Sequence, residues 1–298
     1  MRVGISCAGV ALTATGAFVR QSAQAAERAG FSAFWAAEHV VLFGAYPASK
    51  YPYAAISGTD VPIPDPRMPI ADPVVTMIWA AAATTKIEVG SGILILPQRN
   101  PVVLAKELAT LDEYCGGRVV LGVGVGWCKE EYDACNADWE GRGRRTDEHI
   151  DVLRALWRND MSRFSGETIA FDDAYCYPKP VRNKDIPILI GGESDAALKR
   201  VARAGDGWYA FNLPVDDARS RVLRLKQLTA EQGRDPECLR IVATVFADTS
   251  MAVLERYREA GITEFNLLAV GVLPLDGPGL ADGIEELGRR FVAPLADW

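Results

Sequence analysis

Residues 118–132 read Arg-Val-Val-Leu-Gly-Val-Gly-Val-Gly-Trp-Cys-Lys-Glu-Glu-Tyr. Val119 to Leu121 is a wholly apolar, β-branched run, the composition of a strand buried on both faces of a parallel sheet. Gly122, Gly124 and Gly126 follow at alternate positions. Alternate strand residues share a face, so one face of this strand end carries no side chains. A bare strand end lets a flat ligand or a phosphate approach the backbone closely. Trp127 adds a broad aromatic surface beside it. The same glycines also suit a tight strand-to-helix turn that binds nothing, and the rest of the chain has to decide.

Upstream, Asn100-Pro101 caps a helix through Leu104, Leu108 and Leu111, which stops at Gly116-Gly117. Before it, Ile87 to Leu96 reads as a third strand. Asp72-Pro73 opens the preceding helix in the same way, with Val74, Val75, Ile78, Trp79 and Ala82 expected on its buried side. The first strand is Val3 to Cys7, its helix runs from about Gly16 to Ala29, and Ala33 to Ala36 is the second strand. That strand ends in Glu38-His39. Two ionisable groups just past a buried strand are notable, because a barrel's chemistry sits at the carboxyl ends of its strands.

Downstream, the spacing predicts a helix over 144–158, then strands at Pro187–Gly192, Trp208–Phe211, Arg240–Phe246 and Phe265–Leu268. Asp195 is expected to cap one of the intervening helices; another spans Val215 to Glu231, and a last helix covers about Leu280 to Phe291. Two segments break the rhythm. Residues 44–71 hold Pro47, Pro52, Pro62, Pro64, Pro66 and Pro69 with Tyr46, Tyr51 and Tyr53, and read as a semi-rigid lid. Residues 159–185 are a second irregular insertion, with a small hairpin around Thr168 to Phe171.

Eight strands alternating with helices fit a single (β/α)₈ TIM barrel, an α/β fold, over residues 1–298 with those two insertions. A doubly wound sheet is the alternative. It would want G-x-G-x-x-G opening a helix and an acid at the end of the next strand, whereas the spacing here is G-x-G-x-G.

Nearly half of the 298 residues (49%) are hydrophobic, enough for a large core. A formal charge of −7 with no basic run argues against nucleic acid or an anionic membrane as partner. Six scattered cysteines (Cys7, Cys115, Cys128, Cys135, Cys176, Cys238) show neither a C-x-x-C pair nor a histidine at ligand spacing, so no metal site or disulfide framework is suggested. The amino terminus runs into a strand without a signal-peptide pattern, and no apolar stretch reaches the roughly 20 residues of a membrane span. The reading is a cytoplasmic protein with reduced thiols.

Several pieces in order resemble the bacterial luciferase-like flavin-dependent oxidoreductases. They are residues 34–39 (Phe-Trp-Ala-Ala-Glu-His), 89–94 (Val-Gly-Ser-Gly-Ile-Leu), 118–132, 141–148 (Gly-Arg-Gly-Arg-Arg-Thr-Asp-Glu) and 177–180 (Tyr-Pro-Lys-Pro), completed by 188–193 with Gly-Asp-Gly-Trp at 205–208. The wording is most similar to the branch that uses the deazaflavin coenzyme F-420 rather than FMN. The resemblance implies a homodimer of barrels with the ring of coenzyme F-420, or of FMN, lying in the mouth.

In such proteins a non-prolyl cis peptide after the third strand presses on the ring, and Gly92-Ile93 beside Ser91 matches that position. Gly126-Trp127 would line the ring, while Ile190, Gly191, Gly192 and Glu193 would meet the cofactor's phosphate. His39 with Glu38 is the catalytic candidate, since imidazole can give or take a proton near neutrality. A hydrogen-bonded structural histidine is the competing reading. His149 falls on the polar side of a helix and is expected to be solvated; Arg142, Arg144 and Arg145 read as a solvated face. Relatives that oxidise sugar phosphates carry a glutamate where this chain has Trp127, which argues against that substrate.

The leading expectation is hydride transfer between coenzyme F-420 and a small organic substrate. An FMN-dependent monooxygenase and a non-catalytic flavin-binding protein are the alternatives. The substrate itself is not legible, because lid loops vary most between relatives.

Overall fold

In the computed structural model, which describes residues 1–51, 65–211, 213–296 and 298, eight parallel strands close into a barrel. They are β1 (Arg2–Ser6), β2 (Ala33–Ala36), β3 (Glu88–Ser91), β4 (Val119–Gly124), β5 (Ile188–Gly191), β6 (Gly207–Phe211), β7 (Arg240–Phe246) and β8 (Glu264–Leu268). Each pairs with its sequence neighbour, Val89 of β3 lies against Val119 of β4, and β8 returns to β1 with Glu264 against Arg2. The barrel of the sequence analysis is the observed fold. Pro52, Tyr53, Pro62 and Pro64 of the expected lid lie outside the described residues.

The helices are α1 (Gly16–Arg28), α2 (Pro73–Ala83), α3 (Pro101–Cys115), α4 (Lys129–Ala134), α5 (Arg142–Arg158), α6 (Asp195–Ala204), α7 (Val215–Glu231), α8 (Met251–Glu259) and α9 (Gly277–Leu287). Their starts follow local chemistry. Asp72 accepts the Val75 N–H at 2.9 Å, and Asn100 accepts those of Val102 and Val103 at 3.0 and 3.2 Å. At α6 the cap is Ser194, which accepts the Ala197 N–H, not Asp195; Asp195 sits in the first turn and pairs with Arg221 at 2.9 Å. The last helix is displaced from its expected span: α9 ends at Leu287 and gives way to a π-turn over Gly288–Val292.

Two other expectations are corrected by packing. On α2, Val74, Thr76, Met77, Ala80 and Ala81 face the core, while Val75, Ile78, Trp79 and Ala82 are exposed. This helix is apolar almost all round, so its composition does not say which stripe goes inward. Buried Thr76 is satisfied by donating to the Asp72 carbonyl at 2.8 Å. His149 is likewise buried, with Nδ1 3.3 Å from the Leu96 carbonyl, and burial lowers its pKa.

Inside the barrel, Ala33, Trp35, Val120, Leu189, Tyr209 and Val242 form a core separate from the one between strands and helices. The Trp35 indole fills the space that a side chain at Gly4 or Gly90 would need. Above it the Asn266 amide donates to Tyr209 Oη at 2.6 Å and to Ser6 Oγ at 3.0 Å. Burial pushes the Tyr209 hydroxyl up to about 12. At the amino end of the strands the barrel is closed by charge. Arg240 reaches Glu264 at 2.7 Å and Glu88 at 3.0 Å, and Glu88 also meets Arg182 and Arg2.

The insertion after α5 carries a hairpin of Ser162–Ser165 and Ala170–Ala174, longer than expected. It returns to the barrel through Asp112 of α3, a fully buried carboxylate that accepts the Val119 and Val181 N–H groups at 3.1 and 2.8 Å.

Candidate active site

The carboxyl ends of the strands bring together Glu38-His39, Gly92-Ile93, Gly126-Trp127 and Gly191 to Glu193, the stretches singled out in the sequence. Between them Ile93 forms the floor. A Cβ at Gly124 would lie 2.7 Å from the Ile93 side chain and one at Gly191 2.9 Å, whereas one at Gly122 would first meet the Ser91 carbonyl oxygen at 2.1 Å. Gly124 and Gly191 therefore make room for Ile93, Gly122 makes room for the β3 backbone, and the strand end presents this half-buried side chain rather than bare backbone. Gly126, at φ +67°, is held under Ile95 and Tyr132.

The expected cis bond at Gly92-Ile93 is a trans bond; the one cis peptide among the described residues is Tyr177-Pro178. The ladder is interrupted instead. β3 stops at Ser91, and a two-residue strand, Leu94–Ile95, pairs afresh with Val123 and Gly124. A chain that can step aside through glycine avoids the roughly 3–4 kcal/mol cost of a non-prolyl cis bond. Ser91 and Ile190 are buried within the wall. Ser91 Oγ bonds the Gly122 carbonyl at 2.8 Å and accepts its N–H at 3.0 Å, so it offers a ligand nothing.

Glu38 also has a duty other than the one expected. Its carboxylate accepts the Ile95 N–H and two guanidinium bonds from Arg99, which reaches on to Asp72 at 2.8 Å. Burial raises the Glu38 pKa against the pull of Arg99. It pins the resumed strand and the start of α2, and it is not a free acid.

His39 pairs with a residue the sequence reading missed. Its Nδ1 lies 3.2 Å from Oε2 of Glu131, whose side chain is fully buried. The other oxygen of Glu131 accepts the N–H groups of Val40 at 2.5 Å and Val41 at 3.4 Å. Next along α4, Glu130 accepts the Ala48 N–H at 2.7 Å and the Ser49 hydroxyl, and Ser49 accepts the Lys129 N–H at 2.6 Å. Two consecutive glutamates thus bind the loop after β2 to the turn after β4. Their only signal in the sequence is position, in the first turn of a short helix opening from the glycine strand.

This clamp builds an aromatic wall. Trp127 is ringed by His39, Tyr46 and Tyr51, with centroids 5.6, 5.5 and 5.2 Å away. On the opposite side Gly192, at φ +102°, leads into α6. Glu193 turns onto β6, where Oε1 accepts the Phe211 N–H at 3.4 Å, and burial raises its pKa. The Arg142 guanidinium stacks 3.6 Å over Trp139, and Arg145 donates to the carbonyls of Asp138 and Glu140.

The family model for luciferase-like monooxygenases matches residues 1–271. The chain belongs to that family. An uncharacterized protein of Mycobacterium tuberculosis is 32% identical over 247 residues, covering 82% of this chain and 84% of that one. An FMNH(2)-dependent dimethylsulfone monooxygenase of Pseudomonas putida is 34% identical over 155 residues, 51% of this chain and 42% of that protein. Among solved structures, an F-420-dependent secondary alcohol dehydrogenase in complex with an F-420–acetone adduct superposes with a TM-score of 0.75 over 98% of this chain and 99% of that one, at 19% identity. This protein is a luciferase-like oxidoreductase or monooxygenase. Its described residues contain no helix long and apolar enough to cross a membrane.

Proposed function

We propose that this luciferase-like protein is a coenzyme F-420-dependent oxidoreductase that moves hydride between the deazaflavin and a small organic substrate at the barrel mouth. The observation that carries the reading is His39, held at the mouth by a buried carboxylate and standing against Trp127. When bound, the coenzyme supplies a ring carbon that exchanges two electrons as hydride. The chain's part is placement and proton handling. Ile93 offers an apolar floor for a flat ring, and Trp127 offers a wall. Gly191, Gly192 and the amino end of α6 suit a phosphate, because Ser194 uses one N–H of that turn and Glu193 faces away. His39 is placed to exchange a proton with a substrate oxygen.

An FMN-dependent monooxygenase is the second reading, favoured by the likeness to the FMNH(2)-dependent monooxygenase of Pseudomonas putida. Isothermal titration of the purified protein with coenzyme F-420 and with FMN separates the two. Tighter binding of coenzyme F-420 is expected, and a clear preference for FMN overturns the reading. We also place the protein in the cytoplasm, where its six unpaired thiols stay reduced, and as a homodimer.

A further inference from the structure

We propose that Glu131 is a positioning residue that fixes the tautomer of His39, with the ring proton on Nδ1 and a lone pair on Nε2. His39 then meets the substrate as a proton acceptor. The inference rests on the reading that His39 faces the reaction, and it says which way the proton moves there.

The argument is one of donors and acceptors. Oε1 of Glu131 is taken by the backbone N–H groups of Val40 and Val41, which can only donate. Oε2 faces Nδ1 of His39 at 3.2 Å. A carboxylate only accepts, so Nδ1 must carry the hydrogen. The side chain of Glu131 is 0% exposed, and no lysine or arginine pairs with it among the described residues. A buried carboxylate with an unmatched lone pair is costly, so the contact with His39 is strongly favoured. Nε2 has no hydrogen-bond partner among the described residues, and the imidazole is 17% exposed.

Neighbouring charged groups among the described residues make contacts of their own. Glu38, one residue away, is committed to Arg99 and Ile95. Glu130 is committed to Ala48 and Ser49. Cys128 and Cys135 flank α4, and burial raises both thiols, Cys128 to about 11. The Tyr46 hydroxyl accepts the Phe43 N–H at 3.1 Å.

Glutamine at position 131 makes a discriminating substitution. Its one carbonyl oxygen must stay with Val40, because the backbone N–H there needs an acceptor. The amide NH₂ then faces Nδ1, which has to become the acceptor, and the ring proton moves to Nε2. The corresponding exchange in the serine-protease triad leaves the geometry intact, puts the histidine in the wrong tautomer and lowers turnover by about 10⁴-fold.

The test is imidazole nitrogen NMR on the cofactor-free protein labelled at its two histidines. Glu131→Gln, Glu131→Asp and, for assignment, His149→Gln are measured beside the natural sequence. In neutral His39, Nδ1 is expected as the protonated nitrogen and Nε2 as the bare one. Glu131→Gln should exchange the two signals, and Glu131→Asp should keep the natural pattern. A bare Nδ1 in the natural protein overturns the proposal, whatever the variants do. So does an unchanged pattern in a Glu131→Gln protein whose circular dichroism and melting show it folded. These spectra need no cofactor, so failure of coenzyme F-420 to bind would remove the functional reading and leave the tautomer result standing.

Discussion

Ile93 and the glycines around it show how little a single residue's identity says until its neighbours are placed. Gly92 suggests a site of backbone strain when read alone. In the fold its N–H donates to the Ala36 carbonyl at 2.7 Å, and its bare Cα faces the Tyr209 hydroxyl. A Cβ there would come within 2.8 Å of that oxygen, which Asn266 already holds. Gly92→Val should therefore destabilise the cofactor-free protein itself, by about 1–3 kcal/mol for overpacking of an unyielding site. Chemical denaturation would show it; an unchanged midpoint would mean that Tyr209 swings aside freely. Gly124→Val acts one layer higher, where the added side chain would displace Ile93 from the mouth. Its expected signature is weakened cofactor binding in calorimetry with a smaller loss of melting temperature, since Ile93 is only half-buried and has somewhere to go.

At the scale of elements, what was legible is what local chemistry controls. The spans of β2, α7 and β7, the caps at Asp72 and Asn100, and the stop at Gly116 follow from cap residues, β-branched runs and glycines acting within a few positions. Replacing Asn100 by alanine removes the acceptor for two N–H groups and should cost about 1 kcal/mol, read as a lowered denaturation midpoint with an unchanged slope. An effect within error would mean that water serves the freed N–H groups equally well. What was not legible depends on partners remote in sequence. The inward face of α2 is chosen by what α1 and β3 present to it. The duties of Glu38 and Glu131 are set by Arg99, 61 positions away, and by His39, 92 positions away. A carboxylate in a helix's first turn usually reads as a solvated favourable charge. Nothing local distinguishes Glu131, which is buried, from Glu130 beside it, which serves the loop from a half-exposed position.

Across the whole molecule the two ends of the barrel have opposite chemistry. The carboxyl end is an apolar, aromatic mouth, and the amino end is sealed by ion pairs. The exposed strip of Val75, Ile78 and Trp79 on α2 is the face to examine for the proposed homodimer; Ile78→Asp should shift sedimentation to a monomer, and an unaltered boundary would direct attention to another face. The sealed end makes a sharper prediction. Glu88 lies among Arg240, Arg182 and Arg2 with a side chain only 12% exposed. Burial acts to raise its pKa, but the three guanidinium groups hold it below the usual carboxylate value of 4.5. A group whose pKa is depressed by folding contributes stability that is fully present above its unfolded pKa and is lost as pH falls through the folded value. Glu88→Gln removes the charge and leaves the three arginines around a neutral amide, at a cost of roughly 3 kcal/mol at pH 7. The gap in unfolding free energy between the natural protein and the variant should hold constant from pH 7 to about 5, then narrow below pH 4.5 as Glu88 itself takes up a proton. Other carboxylates titrate in both proteins and largely cancel in the difference. Urea unfolding at pH 7, 5, 4 and 3.5 would trace that curve. A gap that stays flat, or widens in acid, would show that the charge on Glu88 is not what holds the floor of the barrel closed.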